Sequence, residues 1–194
     1  MASYDDKTAL LAVDIQNDFA DSNGSLYVKE GEQVVPIANR EIERALGAGA
    51  IVAYTQDWHP ESTPHFKKDA GIWPVHCVQG TWGAEFHPDL VFKGEIVRKG
   101  TGGEDGYSGF TVRDPQSGAQ EGTDLEPLLR KHGIEKVVIV GLATDYCVKE
   151  TALDARRLGF DTQILLEGVR GVNLQPGDDE RALNEAMFAG ARLE

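Results

Sequence analysis

The sequence predicts an α/β fold in three layers, with helices on both faces of a mostly parallel sheet of about six strands. Two continuous apolar runs, residues 8–14 (TALLAVD) and 137–143 (VVIVGLA), have the pattern of strands buried on both faces of such a sheet. Segments with apolar residues at helical spacing alternate with the strand candidates. For 194 residues, this alternation predicts a single domain with one core.

The other elements follow from the same patterns. Shorter strands are predicted at residues 50–57, 95–100 and 161–169. Helices are predicted at residues 34–49, 125–133 and 145–159, and each of these segments closes on a glycine, which is a helix stop signal.

Two segments interrupt the alternation of strands and helices. Residues 58–94 contain all three tryptophans and four of the five histidines, and residues 100–123 are rich in glycine, aspartate and serine. The first is too long for a simple connection, and the second is expected to be an irregular loop. Because long loops on a rigid sheet are where sites are built, we expect the functional residues near them.

The charge and composition exclude some partners. The chain has 32 acidic and 19 basic residues and a formal net charge of -13, which would repel nucleic acid and anionic membrane surfaces. It has no apolar run of the roughly 20 residues that span a bilayer, and its first residues lack the features of a secretory signal. We therefore expect a cytoplasmic protein with both cysteines as free thiols.

Three reactive side chains stand where predicted strands end. Asp14 closes the first strand, Lys99 closes the third, and Cys147 opens the helix after the fourth. Ligands of open parallel sheets bind beyond the carboxyl ends of the strands, so these side chains could meet there. A thiol needs a base, a cation or a helix N-terminus to become a reactive thiolate, and this set supplies each of them.

Each of these residues also has a simpler interpretation when it is taken alone. Cys147 could be core packing, Asp14 could satisfy loop N–H groups, and Lys99 could be a solvated strand end. The helical period places Cys147 about 100° from the inward stripe of its helix, so that it flanks the core. That placement favours a functional role for Cys147.

A candidate metal site lies in the histidine-rich segment and the strand before it. The ligand candidates are Asp57, His59, His65 and His76, and the first two are spaced to face the same side of an extended strand end. Imidazole and carboxylate suit one divalent ion, which we expect to be zinc, with iron or manganese as alternatives. A histidine-rich loop can equally be mere surface. We assign no ligand role to Cys77, His87 or His132.

Several motifs, taken together and in order, resemble the nicotinamidase/pyrazinamidase group of the isochorismatase-like cysteine hydrolases. They cover residues 8 to about 170 and are VDIQNDF, TQDWHP, PHF, WPVHCVQGTWGAEFHP, VRKGT, GYSGF and GLATDYCVKETALDA. The resemblance implies that residues 1–194 form one isochorismatase-like hydrolase domain with a metal-binding insertion at about 58–94.

The resemblance also implies roles for individual residues. Asp14, Lys99 and Cys147 would be the catalytic triad, and the four ligand candidates would bind the metal. The peptide bond from Leu142 to Ala143 would be cis, and the N–H groups of Ala143 and Cys147 would form the oxyanion hole. The substrate pocket would be lined by Phe19, Trp73, Tyr107, Leu142 and Ala143.

The implied reaction is the hydrolysis of nicotinamide to nicotinate and ammonia through a cysteine thioester, in the service of NAD salvage. The alternatives are another cysteine amidase of this superfamily, acting on N-carbamoyl or ureido amides, and a non-catalytic metal- or nicotinamide-binding protein. Pyrazinamide is a plausible second substrate by resemblance alone. The partner expected is the small-molecule substrate, and the sequence does not decide between monomer and homo-oligomer.

Overall fold

The computed structural model describes residues 2–194, and its centre is a parallel sheet. The chain forms eight strands: β1 (Thr8–Val13), β2 (Ile51–Asp57), β3 (Glu95–Lys99), β4 (Thr111–Arg113), β5 (Gln120–Gly122), β6 (Lys136–Leu142), β7 (Asp161–Arg170) and β8 (Arg192–Leu193). Six of them form one sheet in the order β3-β2-β1-β6-β7-β8, and every neighbouring pair is parallel. The predicted α/β fold with a six-stranded sheet is confirmed.

Helices cover both faces of this sheet. They are α1 (Asn17–Ala20), α2 (Val34–Gly47), α3 (Leu125–Lys131), α4 (Lys149–Arg157) and α5 (Asp178–Phe188), with short 3-10 segments at Gly31–Gln33, Lys67–Asp69 and Trp82–Ala84. Successive strand residues point to opposite faces, so Leu10 packs in the cluster with α2, whereas Leu11 packs in the cluster with α3 and α4. Among the described helices, none combines the length and the apolar character required to cross a bilayer.

The structure differs from the sequence prediction in three places. The expected irregular loop at 100–123 contains the antiparallel hairpin β4–β5, whose strands are short and at most half-buried, so they lack the alternation that marks a strand. The helix predicted at 145–159 begins instead with a π-helical turn, Thr144–Val148, which precedes α4. Helices α1 and α5 and strand β8 were not predicted.

Candidate active site

The carboxyl ends of four neighbouring strands bring the predicted catalytic residues together. Asp14 lies one residue beyond β1 rather than within it, and its φ of 49° is in the left-handed region. Lys99 is the last residue of β3, and Cys147 lies in the π-helical turn after β6. All three side chains are buried, at 0%, 1% and 7% exposure, although charged side chains are rarely buried unless they are paired.

Lys99 is the centre of this group. Its Nζ lies 2.7 Å from Oδ2 of Asp14 and 3.6 Å from Sγ of Cys147. The same ammonium donates to Oδ1 of Asp57 and to the carbonyl oxygen of Gly106. An ammonium with these partners is not a solvated strand end, so that interpretation of Lys99 is wrong.

Burial and the charge of Lys99 determine the pKa values of Asp14 and Cys147. Burial raises the pKa of Asp14 to about 6, although the Lys99 charge opposes the shift. Burial also raises the pKa of the Cys147 thiol well above its usual range, against the opposing charge of Lys99. At neutral pH the resting site therefore holds a thiol beside an ionised carboxylate that can accept its proton.

Two neighbouring side chains fix the aspartates that share Lys99. Thr55 holds the carboxylate of Asp14, and Gln16 holds the main chain of Asp57. The hydroxyl of Thr55 donates to Oδ1 of Asp14 at 2.6 Å. The Gln16 side-chain amide donates to the main-chain oxygen of Asp57 and accepts its N–H, both at 2.8 Å. The sequence analysis assigned a role to neither residue, although Gln16 lies within the VDIQNDF motif.

The four predicted metal ligands lie together beside this group. Ring nitrogens of His59, His65 and His76 lie within 4.8 Å of one another. Oδ2 of Asp57 lies 3.6 Å from Nε2 of His59 and 3.9 Å from Nε2 of His76. Burial alone would raise the pKa of Asp57, but the charge of Lys99 and the His59 contact outweigh it, and the pKa lies well below the usual range.

His59 provides the test of whether a metal ion fits. Its side chain is fully buried, and neither ring nitrogen has a hydrogen-bond partner. Buried polar atoms are normally paired, and a metal ion would supply the missing partner of one of these nitrogens. Burial lowers the pKa of His76 to about 4, which keeps its imidazole neutral, as a ligand must be. The residues present therefore fit a divalent metal ion.

A narrow cleft opens onto Cys147 and two of the three clustered histidines, His65 and His76. Of the residues predicted to contact substrate, Phe19, Trp73, Tyr107 and Ala143 line it, and Leu142 is instead fully buried in the core. The indole N–H of Trp73 donates to the Tyr107 hydroxyl at 2.8 Å, which fixes one aromatic wall. The lining also includes residues that the sequence analysis did not single out: Leu26, Gly106, Tyr146 and Val172.

A wider groove lies next to this cleft. It runs between the β4–β5 hairpin and α4, and shares Tyr107 and Tyr146 with the cleft. Neither Cys147 nor the histidine cluster lines it. The candidate nucleophile and the candidate metal ligands therefore belong to the smaller cleft.

The turn before Cys147 has the conformation that the resemblance implied. The Leu142–Ala143 peptide bond is cis. The main-chain oxygen of Ala143 accepts from the N–H groups of Tyr146 and Val148, both at 3.1 Å. Cys147 is thus held in the first turn of a helix, where N–H groups have no acceptor within the helix and can face a ligand.

The Asp18 side chain fixes the main chain of the histidine-rich segment at Cys77. Its carboxylate accepts from the N–H groups of Ser25 at 2.9 Å and of Cys77 at 2.7 Å. Cys77 is fully buried, which fits packing, and its N–H bond fixes the chain directly after His76. Asp18 also lies within the VDIQNDF motif, but no role was predicted for it, because the motif alone does not distinguish a buried aspartate from a solvated one.

Comparison with known proteins identifies the family. An isochorismatase domain matches residues 8–193. The nicotinamidase of Escherichia coli (strain K12) is 40% identical over 95% of this chain and 93% of its own length. The pyrazinamidase of Pyrococcus horikoshii, solved in complex with zinc, is 42% identical with a TM-score of 0.86 over 97% of this chain and 98% of its own. PnC1 from L. infantum, solved in complex with nicotinate, is 34% identical with a TM-score of 0.87 over 100% of this chain and 95% of its own.

These matches confirm the resemblance that the motifs indicated, and they extend it past residue 170 to include α5 and β8. The chain belongs to the isochorismatase family.

Proposed function

We propose that this protein is a nicotinamidase, which hydrolyses nicotinamide to nicotinate and ammonia through a thioester on Cys147. The observation that carries the proposal is that a thiol, a carboxylate of raised pKa and a buried ammonium lie together beside a candidate metal site. The similarity to the Escherichia coli nicotinamidase over nearly the whole of both chains supports the same substrate.

The first half of the reaction forms the thioester. Asp14 takes the proton of the Cys147 thiol, and the sulfur attacks the amide carbon. The N–H groups of Ala143 and Cys147 donate to the resulting oxyanion, an interaction whose loss typically costs about 3 kcal/mol of barrier. Asp14 then gives its proton to the amide nitrogen, the C–N bond breaks, and ammonia leaves.

The second half hydrolyses the thioester. Asp14, ionised again, takes a proton from water as the water oxygen attacks the thioester carbon. The C–S bond breaks, nicotinate leaves, and Cys147 recovers a proton from Asp14. Lys99 stays charged throughout, because the two carboxylates beside it raise its pKa well above the usual range against the effect of burial.

Asp57, His59, His65 and His76 are the residues proposed to hold the metal ion. Zinc is the ion we propose, because three imidazoles and a carboxylate are typical zinc ligands and the Pyrococcus horikoshii pyrazinamidase binds zinc. When bound, such an ion supplies a Lewis acid that anchors the pyridine nitrogen of the substrate. Phe19, Trp73 and Tyr107 would then pack around the ring.

The proposal extends to the wider role of the protein. Nicotinate is a precursor of NAD, so the activity would serve NAD salvage in the cytoplasm. Pyrazinamide differs from nicotinamide by one ring atom, so we propose it as a second substrate of the same cleft.

The test is the release of ammonia from nicotinamide by the wild-type protein and by Cys147→Ala. We expect release by the wild type and a loss of at least about a thousandfold in kcat for the variant, because no other thiol lies in the cleft. Cys77→Ala is the matched control, since Cys77 is the other buried cysteine and is expected to leave turnover largely intact. Equal release by the wild type and Cys147→Ala would exclude Cys147 as the nucleophile.

A further inference from the structure

Among the three histidines of the candidate metal site, His65 alone is paired with a carboxylate outside the ligand set. Its Nδ1 lies 2.7 Å from Oδ1 of Asp105. Nδ1 of His76 instead contacts the main-chain oxygen of Pro74 at 2.8 Å, and both ring nitrogens of His59 lack partners. The three imidazoles are therefore oriented by different means.

We infer that Asp105 is a positioning residue of the metal site, which fixes the ring orientation and tautomer of His65 so that Nε2 is the nitrogen offered to the ion. This inference rests on the proposed function only in that His65 is taken as a metal ligand. A carboxylate can only accept a hydrogen from Nδ1, and that leaves the lone pair on Nε2. A carboxylate partner also makes the imidazole a stronger electron donor than a backbone carbonyl does.

The hairpin β4–β5 sets the position of Asp105. The N–H of Asp105 donates to the main-chain oxygen of Arg113 at 2.8 Å, and the N–H of Arg113 donates back to Asp105 at 2.9 Å. The Arg113 side chain reaches Oδ2 of Asp105 at 3.5 Å, which leaves Oδ1 for His65. The hairpin is thus linked to the metal site through one carboxylate.

Replacing the Asp105 side chain leaves the main-chain hydrogen bonds of the surrounding loops in place. The two main-chain bonds between Asp105 and Arg113 do not depend on the side chain, and the Thr63 hydroxyl separately donates to the main-chain oxygen of Gly103 at 2.7 Å. A variant of Asp105 should therefore keep its fold and lose only its side-chain contacts, with His65 and with the exposed Arg113 side chain. Glu104 offers a matched control, since it is the adjacent carboxylate and its side chain accepts from the N–H of Gly102 instead of a histidine.

The test measures zinc affinity on metal-free protein, by competition with a chromogenic chelator, for the wild type and for Asp105→Ala, Asp105→Asn and Glu104→Gln. We expect Asp105→Ala to weaken zinc binding by about 10- to 100-fold and Asp105→Asn by less, because an amide oxygen still accepts the hydrogen but carries no charge. Glu104→Gln should stay within about twofold of the wild type, and all four metal-free proteins should melt at the same temperature.

A second measurement distinguishes an effect on the His65 ring from an effect of net charge. In zinc-free protein, ¹⁵N NMR of the His65 ring should show hydrogen on Nδ1 in the wild type and a mixture of tautomers in Asp105→Ala. Unchanged zinc affinity in Asp105→Ala would overturn the inference and leave the proposed nicotinamidase activity intact. Equal weakening by Glu104→Gln would also overturn it, because the effect would then be one of net charge. A wild-type protein that binds no zinc would instead remove the metal site itself, and the inference with it.

Discussion

The ammonium nitrogen of Lys99 lies 2.7 Å from Oδ2 of Asp14, and neither side chain is exposed to solvent. The second carboxylate on the same ammonium belongs to Asp57, so one buried cation is shared by two buried anions. A buried cation held in this way determines both the charge balance of the cleft and the protonation of the groups beside it.

Replacing Lys99 by methionine should therefore damage both stability and activity. The change leaves two buried carboxylates without their cation, and we expect the free energy of unfolding to fall by at least about 3 kcal/mol, measured by urea denaturation. Ammonia release should fall with it. Lys7→Met, at an exposed surface ion pair with Glu135, is the control and should leave both quantities unchanged. Similar unfolding free energies for the wild type and Lys99→Met would contradict the proposed role of the cation.

The raised pKa of Asp14 predicts how activity depends on pH. Only the ionised carboxylate can take the thiol proton, and its pKa is raised to about 6. On the acid side, kcat/KM should therefore fall about tenfold for each pH unit below this value, and it should level off above it. Asp14→Asn should lose about 100-fold or more and show no such slope. Metal content, measured at each pH, separates this titration from loss of the ion. A flat profile between pH 5 and pH 7 at constant metal content would rule out Asp14 as the base.

His59→Ala should abolish stoichiometric metal binding. His59 has two unpartnered ring nitrogens in a fully buried position, and a ligand role would give one of them a partner. We expect elemental analysis to find about one divalent ion per wild-type chain and far less than one in the variant. KM for nicotinamide should rise in parallel. His132→Ala, at an exposed helix end, should retain the ion. Full metal occupancy in His59→Ala would remove this residue from the ligand set.

Gly83→Ala should destabilise the protein through Asp18. A Cβ at residue 83 would lie 2.1 Å from Oδ2 of Asp18, the carboxylate that holds the chain next to His76. We expect the free energy of unfolding to fall by about 2 kcal/mol and metal affinity to weaken. At Gly47, in the last turn of α2, a Cβ meets nothing within 4 Å, so Gly47→Ala should raise stability by about 0.5 kcal/mol. Equal melting temperatures for the two variants would contradict this difference.

Much of the fold was predictable because the central strands are buried on both faces. Continuous apolar runs identify β1 and β6 without any knowledge of the partner strands. The hairpin β4–β5 and the two-residue strand β8 were not predictable in this way, since their residues are largely exposed and their pairing depends on distant parts of the chain.

For the candidate site, the sequence indicated which side chains lie close together, and the structure showed how those side chains are oriented. Strand ends and helix starts predicted that Asp14, Lys99 and Cys147 would converge. The depth at which Lys99 is buried was not predictable, because the carboxylates that compensate its charge come from separate strands. Asp105 was missed for the same reason, since its contact with His65 joins two loops.

The sharing of Lys99 between Asp14 and Asp57 also bears on how the enzyme could be redesigned. One oxygen of Asp57 faces the candidate metal site and the other contacts Lys99, which in turn faces the proposed nucleophile, Cys147. A substitution that alters the charge of the metal centre therefore changes the electrostatic potential at Cys147 as well. Metal selectivity and nucleophile reactivity cannot be tuned independently in this scaffold, so a library that varies the ligands should vary the residues around Lys99 together with them.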